Sequence, residues 1–227
     1  MDSTNMDNVQ EMLRRPAEYE NVDGSVELLF GFMYLGFALA GWLQVITPAG
    51  SIWQKTYAFL IYVVLMQAIL YCGYKAIKNH ITYPRTGFVE YRNSKKPWPM
   101  AIVMLIAAAV SVGTVFVGRW FGNLTSPAAV FGLFYAVIYA HGYARPVRWK
   151  WAVAGAMALW SIAIAFLPAN PVEALGRPFK PGQEYLARFC GAMLLVFTVC
   201  GLLLVFSGAI SLWLYVRHTQ PPEQDGE

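Results

Sequence analysis

Apolar and polar positions along this chain segregate into blocks: long hydrophobic runs separated by short polar stretches. About 20 apolar residues wound as an α-helix match the ~30 Å hydrocarbon core of a bilayer. The blocks predict six membrane-spanning helices, at roughly 27–47, 56–75, 99–118, 126–144, 151–168 and 187–215. None has Asp, Glu, Lys or Arg in its central part. Glu27 and Arg188 fall at span ends, where a long side chain reaches the headgroups. The shortest run, 151–168, is near the lower limit for a crossing, and the longest, 187–215, has length to tilt. The expected fold is therefore an all-α integral membrane bundle occupying residues 26–216.

The polar stretches give that bundle an orientation. With the N-terminus inside, the inner segments carry Arg14, Arg15, Lys75, Lys78, Arg85, Arg92, Lys95, Lys96, Arg145, Arg148, Lys150 and Arg217. The outer segments carry Lys55, Arg119, Arg177, Lys180 and Arg188. Twelve cations against five is the positive-inside bias, and it predicts that both termini are cytoplasmic. Aromatic residues agree. Trp53, Trp120 and Tyr185 mark outer edges, while Tyr74, Trp98, Trp149, Trp151, Trp213 and Tyr215 mark inner ones, as two interfacial belts would. Trp160 is the exception, in mid-span, and is expected to face lipid or pack.

Composition changes the picture little. Of 227 residues, 57% are hydrophobic and 13% charged, roughly half the ~25% charge usual in a soluble domain. The net charge of +4 lies in connectors between apolar runs, so it reads as topology and no nucleic-acid partner is expected. Cys72, Cys190 and Cys200 show no redox or metal spacing and are expected to pack as small apolar residues. Residues 1–25 form an acidic cytoplasmic lead without a positive n-region, so the first apolar run is expected to remain as an anchor. Residues 217–227 read as a disordered cytoplasmic tail. Small residues, Gly31, Gly36, Ala40 and Gly41 in the first span and the Ser207/Ser211 pair in the last, predict close helix packing.

The most distinctive connector is the inner loop 76–98, with Thr82-Tyr83-Pro84-Arg85-Thr86-Gly87-Phe88-Val89-Glu90-Tyr91-Arg92. Pro84 biases Tyr83 toward extended geometry and presets a turn that Gly87 can close. Such a turn would present Arg85, Glu90, Arg92, Lys95 and Lys96 to a partner or an anionic headgroup, since clustered Arg suits phosphate and carboxylate. This stretch resembles the TYPRxGYV-type signature of uncharacterised bacterial multi-pass membrane proteins, with Phe88 where Tyr is common. The resemblance covers about a dozen residues, Thr82 to Arg92. It implies a bacterial cytoplasmic membrane protein, and it brings no activity or catalytic residue.

Chemistry-bearing patterns are otherwise sparse. The sequence holds no GxSxG, P-loop, GxGxxG or HExxH. His80, His141 and His218 all fall on the predicted inner side without metal-ligand spacing, so neither metal nor cofactor is expected. Gln67 is expected to bond to a neighbouring helix; Ser111, Thr114, Ser161, Thr198 and Ser207 are expected to return their hydroxyls to the backbone. The preferred expectation is a non-enzymatic integral membrane protein whose inner loop engages a partner protein or anionic lipid. The alternatives are a small permease with a polar cavity at Gln67 and the Ser/Thr set, or an enzyme acting on a lipid-borne substrate where His80 and His141 converge with acids.

Overall fold

The computed structural model describes residues 23–48, 50–86, 126–140, 147–168, 172, 174–175 and 184–219. Every regular element among them is helical. Helix α1 runs Ser25–Ile46, α2 Thr56–Ile77, α3 Tyr83–Thr86, α4 Ser126–Tyr139, α5 Lys150–Ala165 and α6 Glu184–His218. A 3-10 turn, Ile52–Gln54, leads into α2, and a π-helical segment, Lys78–Thr82, joins α2 to α3.

Three stretches are long and apolar enough to cross a membrane: Ser25–Ile46, the continuous run Ile61–Arg85, and Ala187–His218. They lie where the sequence places its first, second and last spans. Helices α4 and α5 occupy the fourth and fifth, but are shorter, with 14 and 16 residues. At ~1.5 Å per residue α5 extends about 24 Å, less than the hydrocarbon core. The expected third span, 99–118, lies outside the described residues, as do the acidic lead up to residue 22 and the tail from residue 220.

The principal seam joins α1 to α6, and glycine makes it close. A Cβ on Gly31 would stand 2.7 Å from the Val205 backbone nitrogen and 3.1 Å from the Gly201 carbonyl oxygen. One on Gly208 would stand 2.8 Å from the Leu28 nitrogen and 2.9 Å from the Gly24 oxygen. The two backbones therefore meet, as small residues allow where lipid supplies no hydrophobic drive between helices. The expected small-residue packing is present in this pair.

Inside the seam sits an aromatic layer. Tyr34 of α1 meets Tyr135 of α4 edge-on at 5.1 Å between centroids and Phe197 of α6 at 5.4 Å. Phe131 contacts Tyr135 at 4.6 Å and Phe197 at 5.8 Å. Such pairs add to simple burial through their quadrupoles. Helix α5 packs behind α4, with Met157 and Ile164 buried. Trp160 is partly buried, and its indole N–H donates to the Leu195 carbonyl of α6 at 3.2 Å. That satisfies the polar edge a mid-span Trp carries.

Helix α2 stands apart from this core. It leans on α1 through Tyr62, whose hydroxyl donates to the Gly36 carbonyl at 3.0 Å. Gln67 reaches the same neighbour, donating to the Met33 sulfur at 3.6 Å. Ile61, Val64, Leu65 and Ile69 are all more than half exposed. Apolar side chains pointing outward along a helix of this length are what a hydrocarbon environment accommodates.

Candidate functional site

The most unusual chemistry lies at one end of the bundle, where two carboxylates and two ammonium groups are withdrawn from the surface. It begins with Asp23-Gly24-Ser25. Gly24 caps α1 at φ 75, a left-handed conformation that glycine adopts freely. Its lack of a side chain also admits the Gly208 carbonyl and Ser211. Asp23, just before it, accepts from the Ser25 N–H at 3.1 Å and the Ser25 hydroxyl at 2.8 Å. A carboxylate here also complements the positive end of the α1 dipole.

One helical turn on, Glu27 occupies the same face. The two acids take different partners. Asp23 Oδ2 receives Lys78 Nζ at 2.9 Å and the Thr82 hydroxyl at 2.6 Å, both from the π-helical segment below α2. Glu27 Oε2 receives Lys150 Nζ at 2.8 Å from the start of α5. Its Oε1 accepts from Tyr139 of α4 at 2.6 Å and from Ser207 of α6 at 3.1 Å. The Tyr139 and Ser207 oxygens are themselves 2.8 Å apart. Tyr215 closes the arrangement, donating to the Thr82 carbonyl at 3.4 Å.

Burial is nearly complete. Asp23, Glu27, Lys78 and Lys150 are 0%, 2%, 3% and 1% exposed. A buried ion pair is tolerated only when its lone pairs and protons find partners, and removing one member leaves a costly uncompensated charge. Glu27 meets that condition by tying four helices together, while Asp23 ties α1 to the segment below α2. Ser211, one turn beyond Ser207, is also buried, but its hydroxyl lacks a partner.

These groups correct two expectations. Glu27 does not reach for the headgroups; it points into the bundle because Lys150, Tyr139 and Ser207 converge there. Lys78 and Lys150 are neutralised inside the protein and are not free connector charges. Sequence reasoning missed the site because its partners come from the distant π segment, α4, α5 and α6. Asp23 and Glu27 four residues apart were the only local sign of it. Ser161 and Thr198 do return their hydroxyls to their own helices, at 2.7 and 2.8 Å, but Ser207 is recruited by Glu27.

The inner-loop residues are only partly within view. Tyr83 and Pro84 are exposed and Arg85 half-buried, whereas Gly87, Glu90, Arg92, Lys95 and Lys96 lie outside the described residues. The expected extended geometry at Tyr83 is not found: it is right-handed helical, φ −62 and ψ −40, and Tyr83–Thr86 is a helical turn. The π segment accounts for this. The Tyr83 N–H bonds to the Lys78 carbonyl, five residues back, and the wider turn relieves the crowding a proline ring imposes on the preceding turn. Arg85 donates from Nη1 to the Ile81 carbonyl at 3.0 Å, and its Nε is buried without a partner.

Other cations near this end remain outside. Lys75, Arg148 and Arg217 are exposed. Lys75 lies 5.0 Å from the Tyr71 ring centroid and Arg217 5.3 Å from that of Trp213. His80 and His218 are exposed too, and His141 lies outside the described residues. Among the described residues no three His, Cys, Asp or Glu side chains are grouped as metal ligands.

Fold and cluster together define a helical membrane protein with a charge-braced end. No protein-family model, curated protein or solved structure matches the chain.

Proposed function

We propose that this chain is a six-span, non-enzymatic protein of the bacterial inner membrane whose cytoplasmic face engages anionic lipid headgroups or an acidic partner protein. The observation that carries the reading is where the carboxylates go. Asp23 and Glu27 are buried and paired, so among the described residues of that end the exposed charges, Lys75, Arg148 and Arg217, are all cationic. Half-buried Arg85 points the same way, at the root of a loop that adds Arg92, Lys95 and Lys96. The cluster braces the platform from which that loop departs.

The six-span count and the inside termini draw support from the levels of the helix ends. The first turns of α1 and α5, the ends of α2 and α4 and the C-terminal part of α6 meet around Asp23 and Glu27. The chain thus leaves α3 at the cluster level and must begin α4 at the opposite one, and 99–118 is the apolar run between them. Positive-inside counting assigns the cluster end to the cytoplasm.

The test uses purified full-length protein in nanodiscs. Arg85→Ala with Arg92→Ala is expected to weaken retention of phosphatidylglycerol by about five-fold per cation, near 1 kcal/mol each, with a matching loss of salt sensitivity. Unchanged lipid retention together with unchanged cross-linked partners would overturn the reading.

The permease reading draws on the buried Glu27–Lys150 pair, because ionisable groups inside a membrane bundle often line transport paths. Against it, the aromatic layer of Tyr34, Phe131, Tyr135 and Phe197 fills the centre above the cluster.

A further inference from the structure

Between α1 and α2 runs a groove of about 210 Å³, walled by Leu28, Phe32, Ile69, Leu70, Gly73 and Ile77. Ser25 and Tyr74 also line it, near the first turn of α1 and the last of α2. It opens outward, since Phe32 is 47% and Ile69 70% exposed. Along α2 it covers nine residues, Ile69 to Ile77, a rise of about 12 Å.

Gly73 is the telling residue. Glycine weakens a helix interior, and at Gly31 and Gly208 that is repaid by close backbone approach. At Gly73 an added Cβ would meet nothing within 4 Å. Its effect is to keep the groove open. An unneutralised cation lies toward the same end: Arg85, two turns beyond Ile77, has a buried, unpartnered Nε, whereas Lys75 stacks over Tyr71, away from the groove walls. Lys78, by contrast, is already held by Asp23.

We infer that this groove seats one acyl chain of an anionic phospholipid whose headgroup lies at Arg85. The inference rests on the cationic-face reading and deepens it, from a charged surface to a defined lipid site. Apolar walls open to hydrocarbon suit an acyl chain. A cationic end with its carboxylates buried selects a negative headgroup over a zwitterionic one.

Native mass spectrometry of the full chain from nanodiscs containing phosphatidylglycerol and phosphatidylcholine tests it. Gly73→Leu fills the groove and leaves every cation in place. Gly155→Leu is the control, since Gly155 of α5 is also open but lies outside the groove. Bound phosphatidylglycerol is expected to fall about tenfold in Gly73→Leu, on the order of two methylenes of lost burial, and to stay unchanged in Gly155→Leu. A diazirine at mid-acyl chain of phosphatidylglycerol should label peptides containing Leu29 and Leu70, and the phosphatidylcholine analogue should label them far less.

Equal retention in both variants overturns the groove site, and if Arg85→Ala with Arg92→Ala still weakens retention, the cationic-face reading survives. Equal labelling by both lipids overturns the anionic selectivity. A lower melting temperature for Gly73→Leu in lipid-free detergent would mean that protein already fills the groove, which also overturns it.

Discussion

Glu27 is the residue on which most of the buried chemistry turns, because Lys150, Tyr139 and Ser207 reach its carboxylate from three other helices. Lys150→Met alone should destabilise the protein by about 3–5 kcal/mol, since it strands a buried carboxylate. Adding Glu27→Gln should recover much of that loss, as the amide oxygen still accepts from Tyr139 and Ser207 while no charge remains to be compensated. Unfolding titrations of the two single variants and the double variant check this; simple additivity would refute it. The serines separate by the same logic. Ser207→Ala removes a donor to a carboxylate and should cost about 1.5–3 kcal/mol. Ser211→Ala removes a buried hydroxyl that satisfies nothing, and should be neutral or slightly stabilising.

At the scale of elements, glycine has opposite meanings in different helices. Gly31 and Gly208 let α1 and α6 touch backbone to backbone, so Gly31→Ala should lower the melting temperature, with about 1–3 kcal/mol lost to overpacking. Gly155 faces open space on α5, and Gly155→Ala should raise stability by roughly 0.5–1 kcal/mol through helix propensity. Thermal unfolding of both in one detergent checks the contrast. The sequence did announce small residues in the first and last spans, but not which of them would face a neighbour. It also carried the bounds of α1, α2, α5 and α6 to within a few residues, because uninterrupted apolar runs leave the helix few alternatives. It misread Tyr83-Pro84, where a π segment that no local pattern signals keeps the chain helical.

For the whole molecule, the cluster accounts for the relation between orientation and charge. Lys78 and Lys150 belong to the twelve inner cations of the sequence count, yet both are held by acids of the first helix region. Reporter fusions at residues 1 and 227 should both read as cytoplasmic; opposite readings would defeat the six-span arrangement. Substituted-cysteine labelling adds an independent check. A cysteine at position 148 should react with membrane-impermeant reagents only from inside, and one at position 50 only from outside.

Local composition alone determined that this chain is helical and belongs in a bilayer, because unbroken hydrophobicity over the length of a crossing has no other stable outcome. It likewise determined where along the chain the cations lie. Which polar groups would be hidden was beyond its reach: a carboxylate at a span end is equally suited to water and to a lysine more than a hundred residues away. Only tertiary packing made that choice, by bringing α1, α4, α5 and α6 close enough for Glu27 to exchange its hydration for three donors. The apolar groove beside α2 arose the same way, from how far two helices stand apart, a distance that neither sequence contains.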